Sequence, residues 1–531
     1  MSDAQKRQNF LQGTALLTIA TVIVKLVGAL YKIPLNAIIG EKGFGYFSTA
    51  YEIYNILLMI STAGLPVAMS RMISQASSLG RYNQVRQIYA TARRIFLILG
   101  IIGSALMVLF CRPLAAFWNQ PDAWAAIGFL GPCVLLICVM SAYRGYFQGQ
   151  SNMLPTAVSQ VLEVVTKLIV GMAAALAFLK LTGSVPLAAG GAILGVTASC
   201  AVSSVYLLGR FRKSYRELPR TAEQAEPFGA TARELLKIAV PITVSSTCLS
   251  IVTSLSSKIY MGRLLASGVS QDAADIMRGV HVMTQTIYNM PCAFITPITL
   301  SIIPAITAQI TLKEYRQTRM TEESAIRITG IVAMPCSLGL IALARPITAL
   351  IGGYSDQLLD LATQMMTVLG VSIVFNALVL VTTAILQAHG NVRRPVVNMI
   401  IGGVLKLIVV YILTGNPAIG IVGTPIGTLL SYVVICILNV YSIGTLVKDP
   451  PRVMKNLIRS LIAACIMGAC AWLVWWDLTN LGVTSHLILC GLPVGVGVAV
   501  YLIAAIVLKV VTREDCLLLP KGEKIAKLLK L

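Results

Sequence analysis

The sequence predicts an all-α integral membrane protein, and three observations lead to that prediction. Of the 531 residues, 56% are hydrophobic and only 12% are charged, and the mean hydropathy is +0.81. A typical soluble domain is about 25% charged. Many apolar segments are long enough to cross a bilayer as helices, and basic residues concentrate in alternate connections between them. This composition excludes an ordinary water-soluble enzyme.

Fourteen segments are apolar over about the 20 residues that a helix needs to cross the hydrocarbon core. Residues 181–209 contain no charged side chain, and the charge-free stretch 407–447 is divided by Gly415-Asn416-Pro417, a turn sequence. The fourteen predicted spans lie near 12–37, 45–70, 88–111, 124–147, 155–179, 186–209, 235–262, 279–309, 327–351, 361–388, 396–415, 418–445, 458–476 and 486–509.

Lysine and arginine are unevenly shared between alternate connections, with 31 in one set and seven in the other. Because positively charged connections stay in the cytoplasm, we expect both termini there, as an even number of spans requires. The same bias explains most of the net charge of +21, so the chain needs no nucleic acid partner. The basic segment 521–531 is either an amphipathic helix on the anionic inner leaflet or a solvated tail.

The two halves of the chain repeat each other. Lys25 and Arg112-Pro113 recur 233 residues later as Lys258 and Arg345-Pro346, and other polar identities follow in the same order. This pattern predicts two parallel six-helix repeats related by an axis along the membrane normal. The predicted domains are an N-terminal bundle at 1–220, a C-terminal bundle at 221–450, and two additional spans with a basic cytoplasmic tail at 451–531. Two such bundles would enclose a cavity that opens alternately to each side of the membrane.

Three lysines are candidates for binding a substrate. An ionised side chain near the bilayer centre costs roughly 2.5–3.5 kcal/mol on insertion scales, so such groups face a cavity or a partner. Lys25 and Lys258 occupy equivalent spans, and we expect them to face each other across the cavity. Lys32, two turns after Lys25, extends the same stripe. Lysine binds phosphate oxygens well, so these residues are candidates for contacting a phosphate group. The alternative interpretations are that the side chains snorkel to the interface or, for Lys25 and Lys258, that they pair with Glu52.

Four further charged residues inside the spans are candidates for counter-ion or coupling roles. Glu52 is either the counter-ion that stabilises an empty lysine-lined cavity or a carrier of a proton or sodium ion. Glu163 and Lys167 are one helical turn apart and form either an internal ion pair or part of a coupling site. Lys406 repeats Lys167 but lacks the acidic neighbour, so it snorkels or meets another helix.

The sequence predicts neither a metal site nor a resident cofactor. The three histidines and twelve cysteines form no Cys-x-x-Cys pair and no cluster at zinc spacing, and no nucleophile and base are suitably arranged. We therefore expect a transporter rather than an enzyme. A coupling ion or the membrane potential would supply its energy.

The run 25–35 resembles the start of the stage V sporulation protein B group of polysaccharide transporters, as do the runs 40–47 and 143–152. This group belongs to the multidrug, oligosaccharidyl-lipid and polysaccharide exporter superfamily and is related to the lipid II flippases of peptidoglycan synthesis. The resemblance implies a bacterial cytoplasmic membrane protein that moves an undecaprenyl-diphosphate-linked sugar or muropeptide between leaflets, in sporulation or vegetative growth. It also implies cavity-lining roles for Lys25 and Lys32, and a groove for the prenyl tail along the last two spans.

One departure from the lipid II flippases leaves alternatives open. They carry a cationic residue on the second span, where this chain has Glu52. A multidrug/cation antiporter of the same superfamily is the alternative function, and a scaffold or lipid scramblase is a third. In each case we expect a monomer. Its partners would be membrane lipids and, for the flippase, a lipid-linked oligosaccharide or muropeptide.

Overall fold

The computed structural model of the protein describes residues 3–62, 64–150, 152–219, 222–352, 354, 356–391, 393–508 and 510. For some helical residues only the backbone is described and the side chain is not. These are residues 3–26, 29–30, 60–62, 241, 244–246, 248–249, 293–294, 296–305, 308, 311 and 454–456.

All regular secondary structure in these ranges is helical, which confirms the predicted all-α class. Two short 3-10 turns, Pro121–Ala123 and Gly420–Val422, accompany the α-helices. The α-helices are α1 Asp3–Thr62, α2 Leu65–Ser78, α3 Tyr82–Leu109, α4 Cys111–Phe117, α5 Trp124–Gly149, α6 Leu154–Thr182, α7 Val185–Glu217, α8 Phe228–Ala266, α9 Gln271–Thr311, α10 Tyr315–Ala342, α11 Ala344–Gly352, α12 Asp356–Ala388, α13 Arg393–Thr414, α14 Gly423–Leu446, α15 Val453–Asn480 and α16 His486–Val507.

Ten helical segments in the described residues are long and apolar enough to cross a membrane: α3, α5 with its preceding turn, α6, α7, α10, α12, α13, α14 with its preceding turn, α15 and α16. Large apolar side chains remain exposed on them, such as Ile412 and Ile506, each 61% exposed. Lipid chains are the solvent that such faces require. The other four predicted spans fall on α1, α2, α8 and α9, and the total of fourteen and the orientation stay predictions.

The long helix α1 contains a break at Gly40. The backbone there adopts φ 69° and ψ 173°, so the helix consists of two arms. A positive φ is accessible to glycine at little cost, whereas a side chain would be strained. The break separates the first two predicted spans. A second break, at Gly64, divides the second span between α1 and α2, and a Cβ added there would lie 2.1 Å from the carbonyl oxygen of Ala239 in α8.

The chain forms two compact units, Met1–Gly279 and Val280–Leu531. In the first, α7 packs against α5 and α6, and α1 packs against α6 and α8. In the second, α10 packs against α12 and α15, and α13 packs against α14. The first unit thus contains α8 and the first turns of α9. The domain boundaries at 220 and 450 rest on the sequence repeat and stay predictions.

Candidate functional site

Six of the seven predicted site residues belong to the first compact unit, and Lys406 belongs to the second. Lys25 lies on the first arm of α1, but its side chain lies outside the described residues. Its predicted position opposite Lys258 therefore stays a prediction.

Lys32 and Lys167 bring two amines together inside the first unit. Lys32 lies on the first arm of α1 and Lys167 on α6, and the two groups are close enough to repel each other. Lys32 is surrounded by the protein, yet its side chain keeps part of its surface accessible. It is therefore half-buried and not sealed in a packed core.

Two tyrosines lie beside the Lys167 ammonium. It interacts with the Tyr51 hydroxyl and lies 5.8 Å from the centroid of the Tyr31 ring. The Tyr51 ring stacks on Phe47 and meets Tyr54 edge-on, each at 5.3 Å between centroids. A hydroxyl oxygen and a ring face orient an ammonium without cancelling its charge. Lys167 is thus positioned largely by neutral groups.

Glu163 has its direct ionic contact with Arg144 rather than with Lys167. Its Oε2 lies 3.1 Å from Arg144 Nη2, and Arg144 Nε donates to Ser159 Oγ at 3.0 Å. Lys167 is attracted to the same carboxylate at longer range. The sequence predicts an internal ion pair between Glu163 and Lys167, and in the structure the direct partner of Glu163 is Arg144 instead. The cluster holds three basic groups and one acidic group.

Glu52 pairs with Arg278, which lies outside the predicted spans. Glu52 Oε2 lies 3.0 Å from Arg278 Nη2. The two groups form an ion pair, but the angle between them is not that of a hydrogen bond. Ser257 Oγ donates to Glu52 Oε1 at 2.8 Å, and Arg278 Nη1 donates to the Tyr260 hydroxyl at 3.0 Å. Arg278 directly precedes the predicted span 279–309, so a boundary one turn earlier would have placed it inside the membrane. Glu52 is the counter-ion of Arg278 in this structure.

Lys258 rests on an aromatic ring. Its Nζ lies 3.1 Å from the centroid of the Phe117 ring, at the end of α4 in the same unit. This is a cation–π contact. Because Phe117 is 51% exposed, the pair is not sealed in the core.

A polar cluster joins the second arm of α1 to the start of α9. Lys42 donates to Asp272 at 2.6 Å, and this hydrogen bond raises the pKa of the Lys42 amine above its usual value. The Tyr46 hydroxyl lies 3.1 Å from Asp122 and 3.2 Å from Asp275. Its single hydrogen can serve only one of these carboxylates at a time. The cluster fixes the first turns of α9 to α1.

The second unit contains Lys406 and, among its described residues, a buried glutamate–histidine pair. Lys406 is half-buried on α13, one turn after Gly402, where a Cβ would lie 2.3 Å from Ile435 of α14. Glu322 has no accessible surface, and its Oε1 lies 2.7 Å from His389 Nε2. Glu322 and His389 are 67 residues apart, with no motif to connect them in the sequence.

In the part of the chain whose side chains are described, no three His, Cys, Asp or Glu residues come together in a way that could hold a metal ion. The chemistry available in the first unit is electrostatic. The arginines Arg144 and Arg278 are paired with Glu163 and Glu52, whereas the described contacts of Lys167 and Lys258 include a ring face, and such amines suit an anion.

Known proteins resemble this chain along most of its length. The family model for polysaccharide biosynthesis protein matches residues 10–310, and the MatE model matches residues 241–412. Lipid II flippase MurJ of Bacillus subtilis (strain 168) is 25% identical over 487 residues, covering 88% of this chain and 89% of MurJ. Stage V sporulation protein B of the same organism is 23% identical over 519 residues, covering 97% and 98%.

A solved structure shares the fold. Lipid II flippase MurJ in an inward closed conformation has a TM-score of 0.70 at 14% identity, covering 93% of this chain and 98% of that one. The apolar helices and these relatives confirm a multi-pass integral protein of the bacterial cytoplasmic membrane. They also confirm the resemblance to the stage V sporulation protein B group. Because its model matches more than half of the residues, the chain belongs to the polysaccharide biosynthesis protein family.

Proposed function

We propose that this protein is a flippase that moves a polyprenyl-diphosphate-linked saccharide or muropeptide across the cytoplasmic membrane by alternating access. The product would serve cell-wall or polysaccharide synthesis. The observation that carries the proposal is Lys32, a half-buried basic side chain on α1 that is near enough to the Lys167 amine of α6 to be repelled by it. The family and the flippase among the relatives support the same function.

The proposed role of the lysines follows from the cost of moving charge through lipid. An unpaired ion transferred into a medium of low dielectric costs tens of kcal/mol in the idealised limit. Amines in a protein cavity offset this cost by pairing with the phosphate oxygens. Lys25, Lys32 and Lys258 are the proposed contacts. The Lys258 contact with Phe117 is worth about 0.5–2 kcal/mol, so a phosphate oxygen can replace the ring.

The energy source in this proposal is an ion gradient or the membrane potential, without a resident cofactor. A potential that is negative inside favours the inward return of an empty carrier bearing lysines, by about 2.3 kcal/mol per charge per 100 mV. Glu52 acts as a counter-ion, since Arg278 already balances its charge. The monomer meets lipids along α15 and α16, where the prenyl tail remains in the membrane while its head crosses.

Reconstitution tests this function. Proteoliposomes would receive a fluorescent undecaprenyl-diphosphate-linked disaccharide, and its transfer between leaflets would be measured. We expect Lys32→Gln, Lys25→Gln and Lys258→Gln each to slow transfer at least about tenfold, the effect of losing one charge-assisted hydrogen bond. Lys180→Gln is the control, because Lys180 is exposed at the end of α6. Wild-type transfer in correctly folded Lys32→Gln protein would remove Lys32 from the mechanism.

A multidrug/cation antiporter is the second candidate, and the MatE match to residues 241–412 favours it. Such a transporter needs an accessible carboxylate for its cationic cargo. Glu52 and Glu163 each face an arginine instead, Arg278 and Arg144. Efflux of a cationic dye from vesicles, driven by a sodium or proton gradient, would support the antiporter over the flippase.

A further inference from the structure

Helix α12 of the second unit carries three polar side chains on one face and no charge along its apolar length. Residues 361–388 contain no acidic, basic or histidine side chain. Asn376, Thr383 and Gln387 are spaced seven and four residues apart, which places them on the same side of the helix over about 16 Å. Asn376 and Thr383 are half-buried, and Gln387 is exposed. These three residues form the α12 polar face.

The Thr383 hydroxyl differs from the other hydroxyls of α12. A hydrogen bond to the carbonyl oxygen four residues earlier engages those of Thr363, Thr367, Ser372 and Thr382. Serine and threonine commonly bond in this way within a helix. Thr383 instead accepts a hydrogen bond from Asn439 Nδ2 of α14 at 3.1 Å, and among the described residues no acceptor is observed for its own hydrogen. Thr383 is therefore left as a donor.

The Asn376 amide is fixed by α9. Its Nδ2 donates to the Tyr288 hydroxyl at 2.9 Å and to Cys292 Sγ at 3.2 Å. Tyr288 is buried and belongs to an apolar core cluster of the second unit. Both bonds use the amide nitrogen, and within the described part of the chain no donor is observed for Oδ1. Asn376 thus offers a hydrogen-bond acceptor in a fixed orientation.

The chemistry of the α12 polar face suits a neutral ligand. Asn376 supplies an acceptor and Thr383 a donor, and the Gln387 amide can act as both. Lipid chains neither donate nor accept hydrogen bonds, so a polar ligand or water is the favourable neighbour for these groups. A diphosphate would require a cation and a cationic ligand an anion. Residues 361–388 supply neither.

We propose that the α12 polar face binds the uncharged saccharide portion of the lipid-linked substrate. A sugar hydroxyl donates to Asn376 Oδ1, a second sugar oxygen accepts from Thr383, and Gln387 contacts hydroxyl or acetamido groups one turn further along the helix. This inference rests on the proposed function. It adds to that function a part of the second unit that recognises the head group by its sugar rather than by its phosphates.

Binding measured separately from transfer tests the face. The protein in nanodiscs would be titrated with an undecaprenyl-diphosphate-linked disaccharide and with undecaprenyl diphosphate methyl ester, which has the same charge and no sugar. We expect wild-type protein to bind the disaccharide form about 10- to 100-fold more tightly, the effect of two hydrogen bonds. The double variant Thr383→Val, Gln387→Leu should lose most of this preference and bind the methyl ester as the wild type does.

Thr367→Val is the matched control. Thr367 lies on the opposite side of the same helix, and its hydroxyl already donates to the Thr363 carbonyl oxygen at 2.9 Å. The same substitution there removes no group that a ligand could use. We expect this variant to bind both lipids as the wild type does.

Asn376 separates a role in folding from a role in binding. Asn376→Leu alone leaves the Tyr288 hydroxyl without its observed donor, and adding Tyr288→Phe removes that unpaired hydroxyl. The double variant should therefore unfold at a higher temperature than Asn376→Leu. Its preference for the disaccharide should stay about 3- to 10-fold below that of the wild type, because Oδ1 is absent. Recovery of the preference together with stability would overturn Asn376 as a ligand.

The outcomes separate this inference from the proposed function. A preference that is lost in Thr383→Val, Gln387→Leu and kept in Thr367→Val supports the saccharide site. Equal affinity of the wild type for the two lipids, or a wild-type preference in the folded double variant, overturns it even where transfer in proteoliposomes is intact. Selective binding without any transfer retains the site and overturns the flippase. If the double variant does not fold, an unchanged preference in Gln387→Leu alone overturns the site.

Discussion

The Glu52 carboxylate lies 3.0 Å from the guanidinium of Arg278, an arginine with no accessible surface. The two residues join the second arm of α1 to the first turns of α9. Ser257 and Tyr260, both on α8, supply the accompanying hydrogen bonds. Three helices of the first unit are therefore joined through one buried arginine and its half-buried glutamate partner.

Removal of Glu52 should destabilise the protein strongly. Glu52→Ala leaves the Arg278 charge buried without its counter-ion, which typically costs about 3–5 kcal/mol. Thermal unfolding in detergent would measure the effect. The double variant Glu52→Leu, Arg278→Met buries no charge and should be more stable than Glu52→Ala. Equal stability of Glu52→Ala and the wild type would show that the pair does not hold these helices.

The Glu322–His389 pair should stabilise the second unit in a similar way. Among the described residues, Oε2 of Glu322 has no hydrogen-bond partner. The hydrogen bond observed for the Glu322 carboxylate is the one between Oε1 and His389 Nε2. His389→Ala should cost about 1–3 kcal/mol, the penalty for an unsatisfied buried polar group. Adding Glu322→Leu should recover part of the loss in the same unfolding experiment. A further loss on adding Glu322→Leu would contradict this explanation.

Close packing between α1 and α9 makes Gly279 sensitive to substitution. A Cβ added there would lie 1.9 Å from the carbonyl oxygen of Glu41, so Gly279→Ala must separate the two segments. Gly495 on α16 has no atom within 4 Å of such a Cβ and is the matched control. We expect a lower melting temperature for Gly279→Ala and, for Gly495→Ala, a gain of about 0.5–1 kcal/mol from the better helix former. Similar melting temperatures for both variants would refute the close contact.

The orientation predicted from the basic residues can be tested with fusions. We expect green fluorescent protein attached after Leu531 to fluoresce, because both termini are predicted in the cytoplasm. Alkaline phosphatase inserted between α15 and α16, near Gly482, should be active outside the membrane. Absence of fluorescence from the C-terminal fusion, together with inactive phosphatase at residue 482, would invert the topology. The basic connections would then lie outside the cytoplasm.

Composition and hydropathy are sufficient to predict the class, since a chain with 12% charged residues and long apolar runs needs lipid around it. Ten predicted spans coincide with apolar helices of the structure. The partners of the charged side chains could not be predicted in the same way. Ser257 and Glu52 are 205 residues apart, and no periodicity links residues across such a distance.

Glu163 shows a second limit of sequence reasoning. The rule for residues four apart on one helix favours Lys167, whereas the direct partner, Arg144, lies 19 residues earlier on the neighbouring helix α5. Helix propensity does not encode which neighbour a side chain meets; packing between α5, α6 and α7 decides it. The same reason explains why Lys258 could be identified as an intramembrane cation but not as a partner of the Phe117 ring.

A density map of the protein in nanodiscs with bound undecaprenyl-diphosphate-linked saccharide would test the central claim most directly. The account predicts phosphate oxygens within hydrogen-bonding distance of the amines of Lys32 and Lys258, with Glu163 still paired to Arg144. A head group bound away from both lysines would contradict it.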